Sequence, residues 1–193
     1  DALVKLVTSL KGRVVIACFA SNVARVQSAF RAAHASGRRV GLLGRSLDIM
    51  VRSAKNAGLF EPKVPLIEHE HLGYLPEAEV LAVATGTQGE IRAALHRLMM
   101  DTHPSLSLGE GDTVIFSSKT IPGNEESVLR LIEGLRARGV SVVHADETHA
   151  TLHASGHPWA DELADLYSIL KPKISIPVHG EHPHMEANAA IAR

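Results

Sequence analysis

The chain has 193 residues, 45 % of them apolar, with a single cysteine and a formal net charge of −1. That size suits one medium domain, or one domain plus part of another; the lone Cys18 excludes an internal disulfide framework and suits a reducing cytoplasm. No apolar run is long enough to span a membrane, no signal-peptide pattern opens the chain, and the scattered basic residues, gathered only at Arg38, Arg39 and Arg45, give no bulk signature of a nucleic-acid binder.

Asp1 to Val7 reads as the interior of a helix. Arg13 to Phe19 is an apolar, β-branched run without alternation, the pattern of a strand buried on both faces. Asn22 to Ala35 carries Val23, Val26, Ala29, Phe30 and Ala33 along one helical stripe, with Ser21 or Asn22 as N-cap and Gly37 as the stop. Arg39 to Leu43 predicts a strand and Leu47 to Ala57 a helix stopped by Gly58. Phe60 to Pro76, with three prolines, is the least regular stretch. Glu79 to Ala84 predicts a strand, followed by Thr85-Gly86-Thr87-Gln88-Gly89-Glu90 and a helix to about Met100. Asp112 to Ser118 is a strand, Glu125 to Arg138 a helix ending at Gly139, and Ser141 to His144 a short strand. This rhythm with short connections implies an α/β fold, a parallel β-sheet with helices on both faces.

Ligands of such sheets bind beyond the carboxyl ends of the strands. The loops there are Phe19-Ala20-Ser21-Asn22, Gly44-Arg45-Ser46, the Thr85 to Gly89 loop and Ser117-Ser118-Lys119. Each precedes a helix, whose amino end attracts anions. Each taken singly also reads as a simple helix cap; together they suggest an anion-binding rim. No phosphate-binding P-loop or dinucleotide glycine fingerprint is present.

Histidine is the outlier, at 12 residues. His153-Ala154-Ser155-Gly156-His157 offers two imidazoles and a hydroxyl around a glycine, and Pro177-Val178-His179-Gly180-Glu181 places an imidazole at the end of an apolar strand. Such groups ligate metals or move protons near neutral pH; a lone histidine in such a place more often caps a helix or stands in a solvated loop. Ser155 lacks the G-x-S-x-G frame of a hydrolase elbow. Cys18, inside an apolar strand, reads as inert core. His69-Glu70-His71 reads as surface loop rather than a metal site, and Trp159 as a packing anchor at a helix start.

Phe19-Ala20-Ser21-Asn22 with Arg25-Val26, Gly44-Arg45-Ser46, Thr85 to Glu90, Ser117-Ser118 with Ile121-Pro122-Gly123-Asn124-Glu125, His153 to His157, and Pro177 to Glu181 with His184 follow one another in an order that resembles ribonuclease J. The resemblance is to the β-CASP part of that family, within the metallo-β-lactamase superfamily, and covers nearly the whole chain. It implies residues 1–148 as a β-CASP domain and 149–193 as the segment returning to the metallo-β-lactamase core.

The resemblance further implies a two-zinc ribonuclease with 5′→3′ exonuclease and endonuclease activity on 5′-monophosphorylated RNA, a homodimer or homotetramer in the cytoplasm. It assigns His179 as a zinc ligand, His157 to the scissile phosphate or leaving oxygen, and His153, Ala154, Ser155 and Gly156, with Ser21, Asn22, Ser117 and Ser118, to the substrate. The family's H-x-H-x-D-H zinc motif is absent here, so the chain reads as an excised section, inactive alone and without bound zinc. The alternative is a non-catalytic α/β module binding nucleotides or phosphate.

Overall fold

A computed structural model of the chain describes residues 2–144, 152–153 and 157–193. These fall into two compact units, Asp1–Ala154 and Ser155–Arg193. The first is organised around β1 (Val14–Ala17), whose four residues are all buried. Its period-2 geometry sends Val14 and Ile16 into one core and Val15 and Ala17 into another. A helix-covered sheet requires this, and it explains why the run does not alternate with polar residues.

Five more strands join β1: β2 (Arg39–Leu43), β3 (Leu66–Ile67), β4 (Val80–Ala84), β5 (Thr113–Phe116) and β6 (Ser141–His144). Their order is β3-β2-β4-β1-β5-β6, and every neighbouring pair is parallel. One face is covered by α1 (Ala2–Ser9), α2 (Val23–Ser36) and α3 (Arg45–Asn56), through Leu3, Val7, Val26, Phe30, Leu47 and Val51. The other is covered by α4 (Ala94–Met99) and α5 (Glu125–Ala137), through Leu95, Leu98, Val128, Leu131 and Leu135. The expected α/β architecture is therefore present.

Local differences have local causes. The strands are shorter than the apolar runs because the flanking residues enter loops. The proline-bordered stretch is not featureless: it holds β3 and the 3-10 turns His69–Tyr74 and Glu77–Glu79. Leu72 in the first of these is fully buried over Gly41, where a Cβ would meet its side chain at 2.4 Å. Phe60 is also buried, edge-on to Phe30 with ring centroids 5.0 Å apart. Arg38 lies near Arg45 in the sequence. It is instead buried at the amino edge of the sheet, donating to the carbonyls of Gly12, Val80 and Leu10 at 2.7, 3.0 and 2.6 Å.

The second unit contains α6 (Ala160–Leu170) and α7 (His182–Ile191), linked by Tyr167 Oη donating to Asn188 Oδ1 at 2.7 Å. Trp159 does not anchor packing: it is 77 % exposed and stands at the N-cap of α6. The apolar run Ile174, Ile176 and Val178 forms no strand and is exposed. A strand needs a hydrogen-bonding neighbour, and none pairs with this run among the described residues. No helix of the described residues is long and apolar enough to cross a membrane.

Candidate functional site

β1 and β5 lie side by side with Ala17 opposite Phe116, so their loops leave the sheet together. The helix after β1 packs on one face and the helix after β5 on the other. Between two such strands a crevice opens at the carboxyl edge. On the β1 side, Asn22 caps α2, its Oδ1 accepting the Arg25 amide at 3.0 Å. Its Nδ2 remains as a donor, and Ser21 beside it is exposed.

On the β5 side Ser117 and Ser118 are both buried. Ser117 Oγ donates to the Leu152 carbonyl at 2.5 Å, and the Ser117 carbonyl faces His153 Nδ1 at 3.1 Å. A carbonyl only accepts, so Nδ1 carries the proton and the neutral ring has its lone pair on Nε2. Ser118 Oγ has no hydrogen-bond partner among the described residues. Leaving a buried hydroxyl unpaired costs about 1–3 kcal/mol, which an incoming acceptor would recover. The chain thus gathers Ser117, Ser118 and His153 at one strand end and Ser21 and Asn22 at the next. Ala154, Ser155 and Gly156 lie outside the described residues.

In the second unit, the His157 and His179 rings stand edge to face, centroids 5.7 Å apart and planes at 84°. Both side chains are exposed. The turn after His179 depends on Gly180, at φ +103°. An L side chain rarely adopts that conformation, and a Cβ there would sit 3.0 Å from that of His184. Glu181 then caps α7: its side chain accepts the His184 amide, and its own amide donates to His184 Nδ1 at 3.2 Å. His184 is thereby part of the cap. Among the described residues no group of three or more His, Cys, Asp or Glu side chains could hold a metal ion. Two imidazoles fall short of the three or four protein ligands zinc takes, so these residues do not by themselves fit one.

The Thr85 to Gly89 loop does more than cap a helix. Gln88 is buried; its Nε2 donates to the Lys119 carbonyl at 3.0 Å and its Oε1 accepts the Ile121 amide at 2.8 Å and Asn124 Nδ2 at 3.3 Å. It ties the loop after β4 to the loop after β5 and holds Ser117-Ser118-Lys119 in place. An uncharged polar residue between two glycines was the only sequence signal for this brace. Cys18 is core, its thiol pushed up to about 12 by burial. His69 is half-buried, its Nδ1 2.8 Å from Ser105 Oγ.

Residues 11–135 match the family model described as ribonuclease J, beta-CASP domain. The chain belongs to the ribonuclease J β-CASP family. Residues 147–192 match a second model, described as a Zn-dependent metallo-hydrolase RNA specificity domain. The chain is 40 % identical over 191 residues to ribonuclease J of Sinorhizobium meliloti, covering 99 % of this chain and 34 % of that protein. It is 42 % identical over 189 residues to ribonuclease J of Mycolicibacterium smegmatis, covering 97 % and 34 %. Against ribonuclease J2 of Bacillus subtilis it is 36 % identical over 183 residues, covering 94 % and 32 %. The chain spans about a third of the length of the curated ribonuclease J relatives it matches.

Proposed function

We propose that this chain is part of a zinc-dependent RNA phosphodiester hydrolase of the ribonuclease J type. We assign the whole protein 5′→3′ exonuclease and endonuclease action on 5′-monophosphorylated RNA. The observation that carries the reading is the pairing of His157 and His179, distant in sequence, with rings 5.7 Å apart and exposed to an incoming ligand. In hydrolysis, water adds to phosphorus and the bond to the leaving ribose oxygen breaks. His157 steadies the scissile phosphate, or its imidazolium hands a proton to the leaving oxygen. His153, Ala154, Ser155 and Gly156 receive substrate phosphate together with Ser21, Asn22, Ser117 and Ser118; the Ser118 hydroxyl, which has no partner among the described residues, and the Asn22 Nδ2 support this.

The zinc belongs to the family description. In the whole protein, which we take to bind two zinc ions, His179 is one ligand. The residues described here do not complete a site, and the chain alone is expected to be inactive. The single buried cysteine supports a cytoplasmic setting. We retain residues 1–148 and 149–193 as the division between β-CASP domain and core segment, and a homodimer or homotetramer as the assembly.

The test uses the full-length protein. His157→Ala should lower turnover by roughly a hundred- to ten-thousand-fold while RNA affinity changes little, because such a group acts in the transition state. His179→Ala should lose one zinc by metal analysis along with activity. Unchanged turnover with abolished RNA binding in His157→Ala would overturn the assignment.

A further inference from the structure

A second crevice opens where β2 and β4 lie side by side, Leu43 opposite Ala84. The helix after β2 covers one face of the sheet and the helix after β4 the other. This is the arrangement at which open α/β sheets bind ligands. A cavity of about 720 Å³ occupies the place, walled by the loop after β2, the start of α4 and the segment around His103. It lies within the range of about 300–1,000 Å³ typical of small-molecule sites.

Three arginines converge on it: Arg45, Arg92 and Arg97. None forms an ion pair among the described residues. Other arginines of the sheet domain do find carboxylates: Arg13 pairs with Asp112 and Glu77, Arg39 with Glu79, Arg130 with Glu126 and Arg138 with Asp101. Asp48 is the one carboxylate in the wall, so the lining carries an excess of positive charge. Converged cations that outnumber the carboxylate beside them are a binding surface for an anion with several acceptor oxygens, which guanidinium forks match.

His103 adds a directional donor. Its Nδ1 accepts the Ser105 amide at 3.2 Å, which leaves the proton of the neutral ring on Nε2. Burial, and then the positive potential of His69 and Arg97, push its pKa below the ordinary histidine value, favouring that neutral ring. The remaining wall includes Ile49 and Pro104, apolar surface that phosphate alone would not use.

We propose that the β2–β4 crevice is a nucleotide-binding site, with Arg45, Arg92 and Arg97 holding phosphate and the Ile49 and Pro104 wall covering base or ribose. The nucleotide is either free or one residue of an RNA strand; both present the same chemistry. This assignment does not depend on the hydrolytic role of His157.

Binding to the full-length protein by calorimetry separates the sources, with AMP, adenosine, inorganic phosphate and a 5′-hydroxyl oligoadenylate as probes. AMP should bind more tightly than adenosine or phosphate if the site takes free nucleotides. The oligoadenylate alone should bind measurably if it takes a strand. In either case Arg92→Ala/Arg97→Ala should weaken the responsive probe about tenfold or more and flatten its salt dependence. Both side chains are exposed, so folding should persist, checked by circular dichroism. Probe affinities unchanged in the double variant, or no binding of either AMP or the oligoadenylate, would overturn the proposal.

Discussion

Replacing Arg38 by Met should destabilise the protein without touching ligand binding at the strand ends. Arg38 is 3 % exposed, and no carboxylate pairs with it among the described residues. Three carbonyls, from Leu10, Gly12 and Val80, hold its guanidinium and tie the end of α1 to the amino edges of β1 and β4. Hydrogen bonds to a charged group contribute about 1.5–3 kcal/mol each, a gross of roughly 5–9 kcal/mol for three. The cost of burying the cation offsets part of this, and burial depresses its pKa accordingly. Met fills the stem but leaves the carbonyls unpaired, so the net loss should be about 3–5 kcal/mol. With a urea slope of about 2–3 kcal/mol/M the midpoint should fall by roughly 1–2.5 M. Arg38→Lys should recover only part, because one ammonium cannot reach three carbonyls in fork geometry. The assay is urea unfolding followed by circular dichroism. A loss below about 1 kcal/mol would refute the argument, since it would lie within the range of ordinary surface substitutions.

Other consequences follow from single side chains. Gln88→Ala should cost about 1–3 kcal/mol and shift amide resonances of Ser117 and Ser118 in NMR spectra, because it releases the Lys119 and Ile121 bonds; unchanged resonances there would remove its bracing role. Gly89→Ala should also destabilise, by about 1–3 kcal/mol, since φ is +79° and a Cβ would lie 2.7 Å from the Ser127 backbone; thermal unfolding measures this. Cys18 should resist thiol reagents until the protein unfolds, its pKa raised to about 12 and its side chain buried; rapid labelling of the native state would contradict the core placement. His103 has a folded pKa below its unfolded value, so the unfolded chain binds its proton more readily. Its contribution should be complete above pH of about 6.5 and decline as pH falls through the folded pKa, and His103→Gln should flatten that part of the stability-pH curve.

Much of the fold was legible because its signals are local. An apolar run without alternation, such as Arg13 to Phe19, announces a strand covered on both faces, and Val26, Ala29, Phe30 and Ala33 announce a helix with one buried stripe. Asn22 as N-cap and Gly37 as stop lie within a turn of what they terminate. The ordered loop motifs identified the family because each depends on residues adjacent in the chain, and residues 11–135 match its model.

The strand order is different in kind. β4 inserts between β2 and β1, and nothing within Val80–Ala84 names its neighbours. That choice is made by packing two apolar faces at once, among residues tens of positions apart. It puts Arg38 inside at one edge of the sheet and Arg45 at the other, though the sequence sets them seven apart. It also brings Arg92 and Arg97 toward Arg45, makes Gln88 a tie between two loops, and leaves Ser118 Oγ buried with no partner among the described residues. Trp159 and the Ile174 to Val178 run carry the hydrophobicity of core residues yet stand exposed, because burial depends on a neighbouring surface and not on the residue alone. Sequence by itself determined the family and most helices and strands of the sheet domain with their stops; β3, the missing strand at Ile174 to Val178 and which charges meet were decided only when the non-local pairings closed the sheet.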